Sequence, residues 1–285
     1  MNWIVLVSEA ERAQGALAAA TLSRAREALD ENGAVILRGV FTTSAIDRLR
    51  GEFEVQWGAL QEEAFALRSQ RPGPNPVIRV GEKRYEVLVT LKGAFAEPSL
   101  FANPLLCPFL TSVLDEGMRL SGVTSVVSFP GATLQHLHTD HPRLFGETGV
   151  SESLPAYAIN VAAPLIDIDR DIGSTAICLG SHLWPAGRAP NPEELVAVDF
   201  LRGDCVLIDY RTLHTGLPNK SNIVRPILYM VYARNWFFDD LNHTSRPSLN
   251  MDLETFMALP DAVKPLMTRA YSAQARAAFL SASQT

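Results

Sequence analysis

Cysteine is scarce in this chain: three residues among 285, Cys107, Cys178 and Cys205, far apart and with no CxxC pair. That spacing argues against a disulfide framework and reads as buried thiols in a reducing compartment, so a cytoplasmic setting is expected. An excess of positive charge is also missing. The formal net charge is −6, which removes the general reason to expect nucleic acid or an anionic membrane as partner. No apolar run approaches the roughly 20 residues of a membrane span. "WIVLVS" (3–8) is apolar but short, lacks a basic start and runs into the acidic "EAER", so it reads as a first strand rather than a leader. Internal repeats and low-complexity tracts are absent too. What remains is ordinary for a globular protein, 47% apolar and 20% charged residues, enough for ample core in one large domain or two small ones.

The N-terminal part carries helical periodicity. Leu22, Ala25 and Leu29 share a face over 21–32, and Asn32-Gly33 is a C-terminal stop. "GAVILRGV" follows as a buried strand, and a helix from Thr43 carries Ile46, Leu49, Phe53, Trp57 and Leu60. "QRPGPNP" (70–76) is a loop, "VIRVGEKRYEVLV" a hairpin turning at Gly81, and Asn103-Pro104 opens a helix that Gly122 closes. From Val123 the character changes. "VTSVVSF", "TLQHLHTD", "YAINVAAPL", "STAICL", "LVAVDF", "DCVLIDY" and "RPILYMVYAR" are short β-rich runs separated by Pro, Gly and Asp. Beyond Trp236 short helices return, broken at Pro260 and Pro265. The expected fold is mainly β with flanking helices, one domain built on a double-sheet core.

"QHLHTDH" (135–141) packs three of six histidines and an aspartate into seven positions. In an extended segment His136, His138 and Asp140 face the same way. A His-x-Asp pair offers an imidazole nitrogen and a carboxylate oxygen to one point, ligands suited to Fe(II), Mn(II) or Zn(II). Downstream, His214 follows a buried strand, and Arg225 opens another. An arginine there is either a solvent-exposed strand end or, if buried, in need of an anion. Histidine, His-x-Asp and arginine together suggest a carboxylate docked beside a metal.

These stretches resemble the phytanoyl-CoA dioxygenase family, non-haem Fe(II)/2-oxoglutarate oxygenases. The matching runs are "GAVILRGVF", "PGATLQHLHTD", "GSTAICLGSHLW" and "GD…IDYRTLHTGLPNKSNIVRPILYMVYAR". The resemblance implies a double-stranded β-helix (jelly-roll, cupin-like) core over about 77–235, helical support over about 10–70 and C-terminal helices over about 250–281. It implies His138, Asp140 and His214 as iron ligands, Arg225 as the anchor for the distal carboxylate of 2-oxoglutarate, and Gln135 and Thr175 as further contacts to that cosubstrate. Gln135 meets one difficulty: strict alternation points it away from the His138 face, so it needs a bulge or strong twist. With O₂ as the third reactant, the implied outcome is hydroxylation or another oxidation of a C–H bond, with succinate and CO₂ as coproducts. Halogenating relatives replace the carboxylate with a small residue; here Asp140 is intact.

Substrate contacts are expected from 60–100, from the loop 142–156 and from "NWFFDD" (235–240), with Arg84, Leu88, His141, Phe145 and Trp236 as candidates. The implied substrate is a small, partly apolar natural product or metabolite, met by a monomer or homodimer. A second reading is a cupin-like metalloenzyme, an isomerase or a cosubstrate-independent dioxygenase, that uses His136, His138 and His214. A third is a non-catalytic binding protein on the same core. His182 reads as a structural loop histidine, and His243 has no chemical context.

Overall fold

Runs of β-branched and apolar residues bounded by Pro, Gly and Asp fold into two packed sheets, as their alternating and continuous burial requires. The computed structural model describes residues 2–58, 60–71, 75–146, 148–242 and 247–270. The strands are β1 (Ile4–Leu6), β2 (Ala34–Arg38), β3 (Val77–Gly81), β4 (Arg84–Leu88), β5 (Arg119–Ser128) and β6 (Ala158–Pro164). They continue with β7 (Thr175–Cys178), β8 (Leu195–Ala197), β9 (Cys205–Asp209), β10 (His214–Gly216) and β11 (Arg225–Ala233). The large sheet has the order β1-β2-β9-β6-β11-β5-β4-β3, and the small one β10-β7-β8. The strands over 77–235 are thus joined by β1 and β2, so the N-terminal segment belongs to the main sheet rather than merely supporting it. All of its pairings are antiparallel except β1 with β2.

Helices cover the outer face. They are α1 (Glu9–Gln14), α2 (Ala19–Asn32), α3 (Thr43–Trp57), α4 (Glu62–Ser69), α5 (Pro98–Phe101), α6 (Leu106–Leu114), α7 (Val150–Ser153) and α8 (Leu253–Ala258). Phe65 on α4 meets Trp57 of α3, Tyr85 and Phe129, and Tyr85 meets Phe129, with ring centroids 5.2–5.9 Å apart. Each such pair adds about 0.5–1.5 kcal/mol beyond its area burial and pins the helices onto the β3–β4 hairpin. Among the described residues no helix is long and apolar enough to cross a membrane.

Several local expectations shift. The hairpin turns at Glu82–Lys83, Lys83 taking the positive φ of 51° while Gly81 stays in the strand. Asn103 Oδ1 accepts from Leu105 and Leu106 N–H in the turn that leads into α6, whose N-cap residue is Leu105. The helix ends at Asp115 (φ 85°), however, and Gly122 lies inside β5. Leu60 falls beyond the Gly58 cap of α3. "TLQHLHTD" is extended but forms no ladder, for reasons given below. Of the C-terminal helices only α8 precedes Pro260; residues 271–281 lie outside the described residues.

Gly33 links the helical layer to the site. It closes α2 in the left-handed region (φ 69°), and its carbonyl accepts from Asp209 N–H and Thr212 Oγ1 on the segment between β9 and β10. A Cβ at this position would lie 2.3 Å from Thr212 Oγ1 and 2.5 Å from His182 Nδ1. Left-handed backbone alone costs a non-glycine residue about 1–2 kcal/mol. Gly33→Ala should therefore lower stability by at least that much in urea denaturation; a midpoint equal to wild type would show that this junction relaxes freely.

Candidate metal centre

The extended peptide 133–140 joins the small sheet at isolated points. His138 and His214 exchange both backbone hydrogen bonds, His138 N–H to His214 O at 3.1 Å and His214 N–H to His138 O at 2.9 Å. Upstream, Gln135 N–H reaches Gly216 O at 3.0 Å. Between these contacts this peptide advances three residues while β10 advances two, the one-residue surplus of a β-bulge. The surplus removes the difficulty raised by strict alternation: Gln135, His136 and His138 all line one cavity of about 610 Å³.

His138, Asp140 and His214 each bring one donor atom to that cavity, all within 4.8 Å of one another. His138 Nδ1 lies 2.8 Å from His136 O, and His214 Nδ1 lies 3.0 Å from Thr212 O. Each Nδ1 therefore carries the proton and donates, which leaves both Nε2 lone pairs for a metal. Burial, and then the neighbouring His214, hold the His138 pKa down at about 4, so this ring is in its ligating, neutral form at pH 7. Asp140 Oδ1 is 3.6 Å from His214 Nε2, while Oδ2 accepts from Asn160 Nδ2 at 3.1 Å. Two imidazoles and one carboxylate open to a cavity fit the 2-His-1-carboxylate set for Fe(II). His136 is exposed, its ring 4.8 Å from that of His138, and it falls outside the three-donor group.

A second feature of the cavity is cationic. Arg84 and Arg225 are each only 1% exposed, and both register against Ser128 of β5, from opposite sides. Among the described residues neither forms an ion pair with a carboxylate, and both Nε atoms are buried without a partner. Arg84 is held by the backbone carbonyls of Thr133 (3.1 Å) and Leu217 (2.9 Å). Burial, and then the charge of Arg225, press the Arg84 pKa down to about 9. Burial likewise lowers Arg225, opposed by the Tyr229 hydroxyl beside it, which is in turn hydrogen-bonded to Thr175. Two adjacent buried guanidiniums make a strong demand for an anion.

The expected substrate contacts fare differently. Arg84 lies deep beside Arg225, not at the mouth, because the β4–β5 register carries it inward. Leu88 is buried and borders a separate depression with Trp57 and Asn75. His141 turns away from the metal ligands: its Nδ1 contacts Pro142 O, and its ring packs on Phe237 and Tyr157 beside a smaller cavity of about 240 Å³. Phe145 and Trp236 are 52% and 61% exposed and line neither cavity. Phe65 and Phe95 are core. His182 is the structural histidine expected, Nε2 lying 3.1 Å from Asp30 O; His243 lies outside the described residues. Asn160, Tyr210, Tyr229 and Asn242 line the metal cavity and were not foreseen. Asn160 had a signal, being the one polar side chain in "YAINVAAPL" apart from the leading tyrosine.

The family model for phytanoyl-CoA dioxygenase (PhyH) matches residues 29–227. The chain belongs to the phytanoyl-CoA dioxygenase family. Among curated relatives, the iron/alpha-ketoglutarate-dependent dioxygenase penM of Penicillium thymicola is 27% identical over 195 residues, 66% of this chain and 60% of that protein. Dioxygenase trt7 of Aspergillus terreus is 22% identical over 243 residues, 82% of this chain and 81% of that one. The fold matches HygX from Streptomyces hygroscopicus, solved with nickel, 2-oxoglutarate and hygromycin B bound, at a TM-score of 0.56 and 18% identity over 79% of this chain and 94% of that chain. PenM is thus an iron/alpha-ketoglutarate-dependent dioxygenase and HygX binds 2-oxoglutarate, and the jelly-roll core is the one expected.

The low His138 pKa has a stability consequence. Unfolded histidine titrates near about 6.5, so between that value and about 4 the unfolded chain binds more protons than the folded one. The metal-free protein should lose stability as pH falls through this window. Urea midpoints at several pH values across it should fall for wild type and fall less for His138→Gln. Equal slopes would assign the loss to other groups.

Proposed function

We propose that this protein is a non-haem Fe(II)/2-oxoglutarate-dependent oxygenase that hydroxylates, or otherwise oxidises, an unactivated C–H bond of a small molecule. The observation that carries the reading is the three-donor set and the uncompensated guanidinium pair on one cavity. His138, Asp140 and His214 would hold the iron, which leaves coordination positions open toward the cavity. Iron there supplies O₂ activation coupled to decarboxylation of 2-oxoglutarate to succinate and CO₂. Arg225 would take the distal carboxylate in a two-pronged charged hydrogen bond, with Arg84 supplying a second positive charge and Thr175 and Gln135 completing the pocket. The Nδ1–carbonyl contacts keep both rings in the ligating tautomer without a proton to move.

The rest of the cavity supports a more polar substrate than the sequence suggested. Its lining includes Arg79, Glu86, Thr124, Tyr210 and Asn242, while its aliphatic side chains are Val80, Val126 and Val231. A substrate rich in hydroxyl or amine groups suits this surface better than a long hydrocarbon. A cytoplasmic setting belongs to the same proposal, Cys107, Cys178 and Cys205 all being free thiols.

The test is anaerobic titration with Fe(II) and then 2-oxoglutarate, following the visible metal-to-ligand charge-transfer band. Wild type should develop the band; His214→Ala and Asp140→Ala should not. Arg225→Ala should weaken 2-oxoglutarate by about two orders of magnitude or more, matching the roughly 2–5 kcal/mol lost when one partner of a buried charge pair is removed. Iron binding without any band, or an unchanged 2-oxoglutarate affinity in Arg225→Ala, would overturn the cosubstrate assignment and favour the cupin-like reading with His136.

A further inference from the structure

We infer that Asn160 is a positioning residue for the metal centre: it selects which oxygen of Asp140 faces the metal and holds the carboxylate in place. The inference rests on the ligand set proposed above.

Asp140 sits on a peptide that touches the sheets only at isolated points, so its carboxylate needs an external support. Two residues grip it. Asn242 Nδ2 donates to the Asp140 backbone carbonyl at 2.8 Å and also to Asp239 Oδ2. Asn160 Nδ2 donates to Asp140 Oδ2 at 3.1 Å, and among the described residues it is the one side-chain donor to that carboxylate. With Oδ2 engaged, Oδ1 is the oxygen left facing His214 Nε2. Asn160 would therefore engage Oδ2 and leave Oδ1 as the free donor atom beside the two imidazoles.

The support is rigid because of where it stands. β6 lies between β9 and β11 inside the large sheet, and Asn160 registers against Ile208 on one side and Val231 on the other. A donor fixed on a central strand holds its acceptor more tightly than one on a loop. The other end of the side chain shows that folding alone does not account for asparagine here. Asn160 Oδ1 is buried with no hydrogen-bond partner, a loss that an aliphatic residue of similar size would avoid. Apolar neighbours on the same strand, Ile159, Val161 and Ala162, show what packing alone selects at this depth.

The experiment compares wild type with Asn160→Leu and Asn160→Ala, measuring Mn(II) binding by electron paramagnetic resonance and thermal unfolding of the metal-free protein. Leucine removes the donor along with the unpaired carbonyl at similar volume; alanine removes both without filling the space. Both should bind Mn(II) 10–100-fold more weakly, the usual consequence of losing such a support. Asn160→Leu should unfold at or above the wild-type temperature. The bound Mn(II) spectrum should also change its zero-field splitting in any fraction that still binds. Affinity within twofold of wild type in both variants would overturn the inference. So would a loss in Asn160→Leu accompanied by lower unfolding temperature, with Asn160→Ala normal on both counts, because that pattern belongs to packing. Mn(II) binding that survives His138→Ala and His214→Ala would instead remove the ligand set itself, and this inference with it.

Discussion

The site depends on a single two-way backbone contact, the reciprocal hydrogen bonds between His138 and His214. It is one antiparallel pair with no ladder around it, and it fixes two metal donors at once because both residues are ligand candidates. Around it the sequence withholds regular pairing. The surplus residue between Gln135 and His138 breaks the register on one side, and on the other Asp140 N–H turns to Tyr210 O. A regular ladder would have sent Gln135 to the opposite face. The irregularity lets an amide, an imidazole and a carboxylate from six residues of one peptide all face the same cavity.

The arginine pair is the second constraint, and it opposes folding. Placing Arg84 and Arg225 on either side of Ser128 buries two like charges side by side, one held by backbone carbonyls and the other by the Tyr229 hydroxyl, with no carboxylate among the described residues to offset them. Replacement of either by an aliphatic residue would remove that burden, so their presence is understandable as provision for an anion that arrives from outside. The centre also makes a lesser compromise at Asn160, whose carbonyl is left unpaired in an otherwise apolar strand. Local conflict with good packing thus concentrates at the residues that face the cavity, while the helical layer and the aromatic cluster around Phe65 obey ordinary packing rules.

Much of this was legible in the sequence, for identifiable reasons. His138, Asp140, His214 and Arg225 stand out because their chemistry is unusual in its local setting: a His-x-Asp pair, and a cation opening an apolar strand. Helix starts and stops at Asn32-Gly33, Thr43 and Asn103 were legible because capping is local. Arg84 reads from the sequence as a residue of the mouth, since its partnership with Arg225 passes through the register of three strands, which no local pattern records. Leu88, Phe145 and Trp236 were chosen for apolar or aromatic character near expected loops. That character does not say which way a side chain turns, and the cavity is lined chiefly by polar groups instead. Asn160 announced only that it needs a partner; that the partner is Asp140 follows from the sheet.

The spacing within β10 joins the two constraints. His214 begins this three-residue strand, and Gly216 ends it with Arg84 packed against its Cα: a Cβ there would come within 2.5 Å of Arg84 Nη1 and 3.0 Å of Gln135 Oε1. Arg84 can therefore enter the cavity only because β10 carries glycine at 216, and any side chain there would displace the guanidinium or Gln135. One end of this short strand supplies a candidate metal donor, His214, and the other end the space for a buried cation.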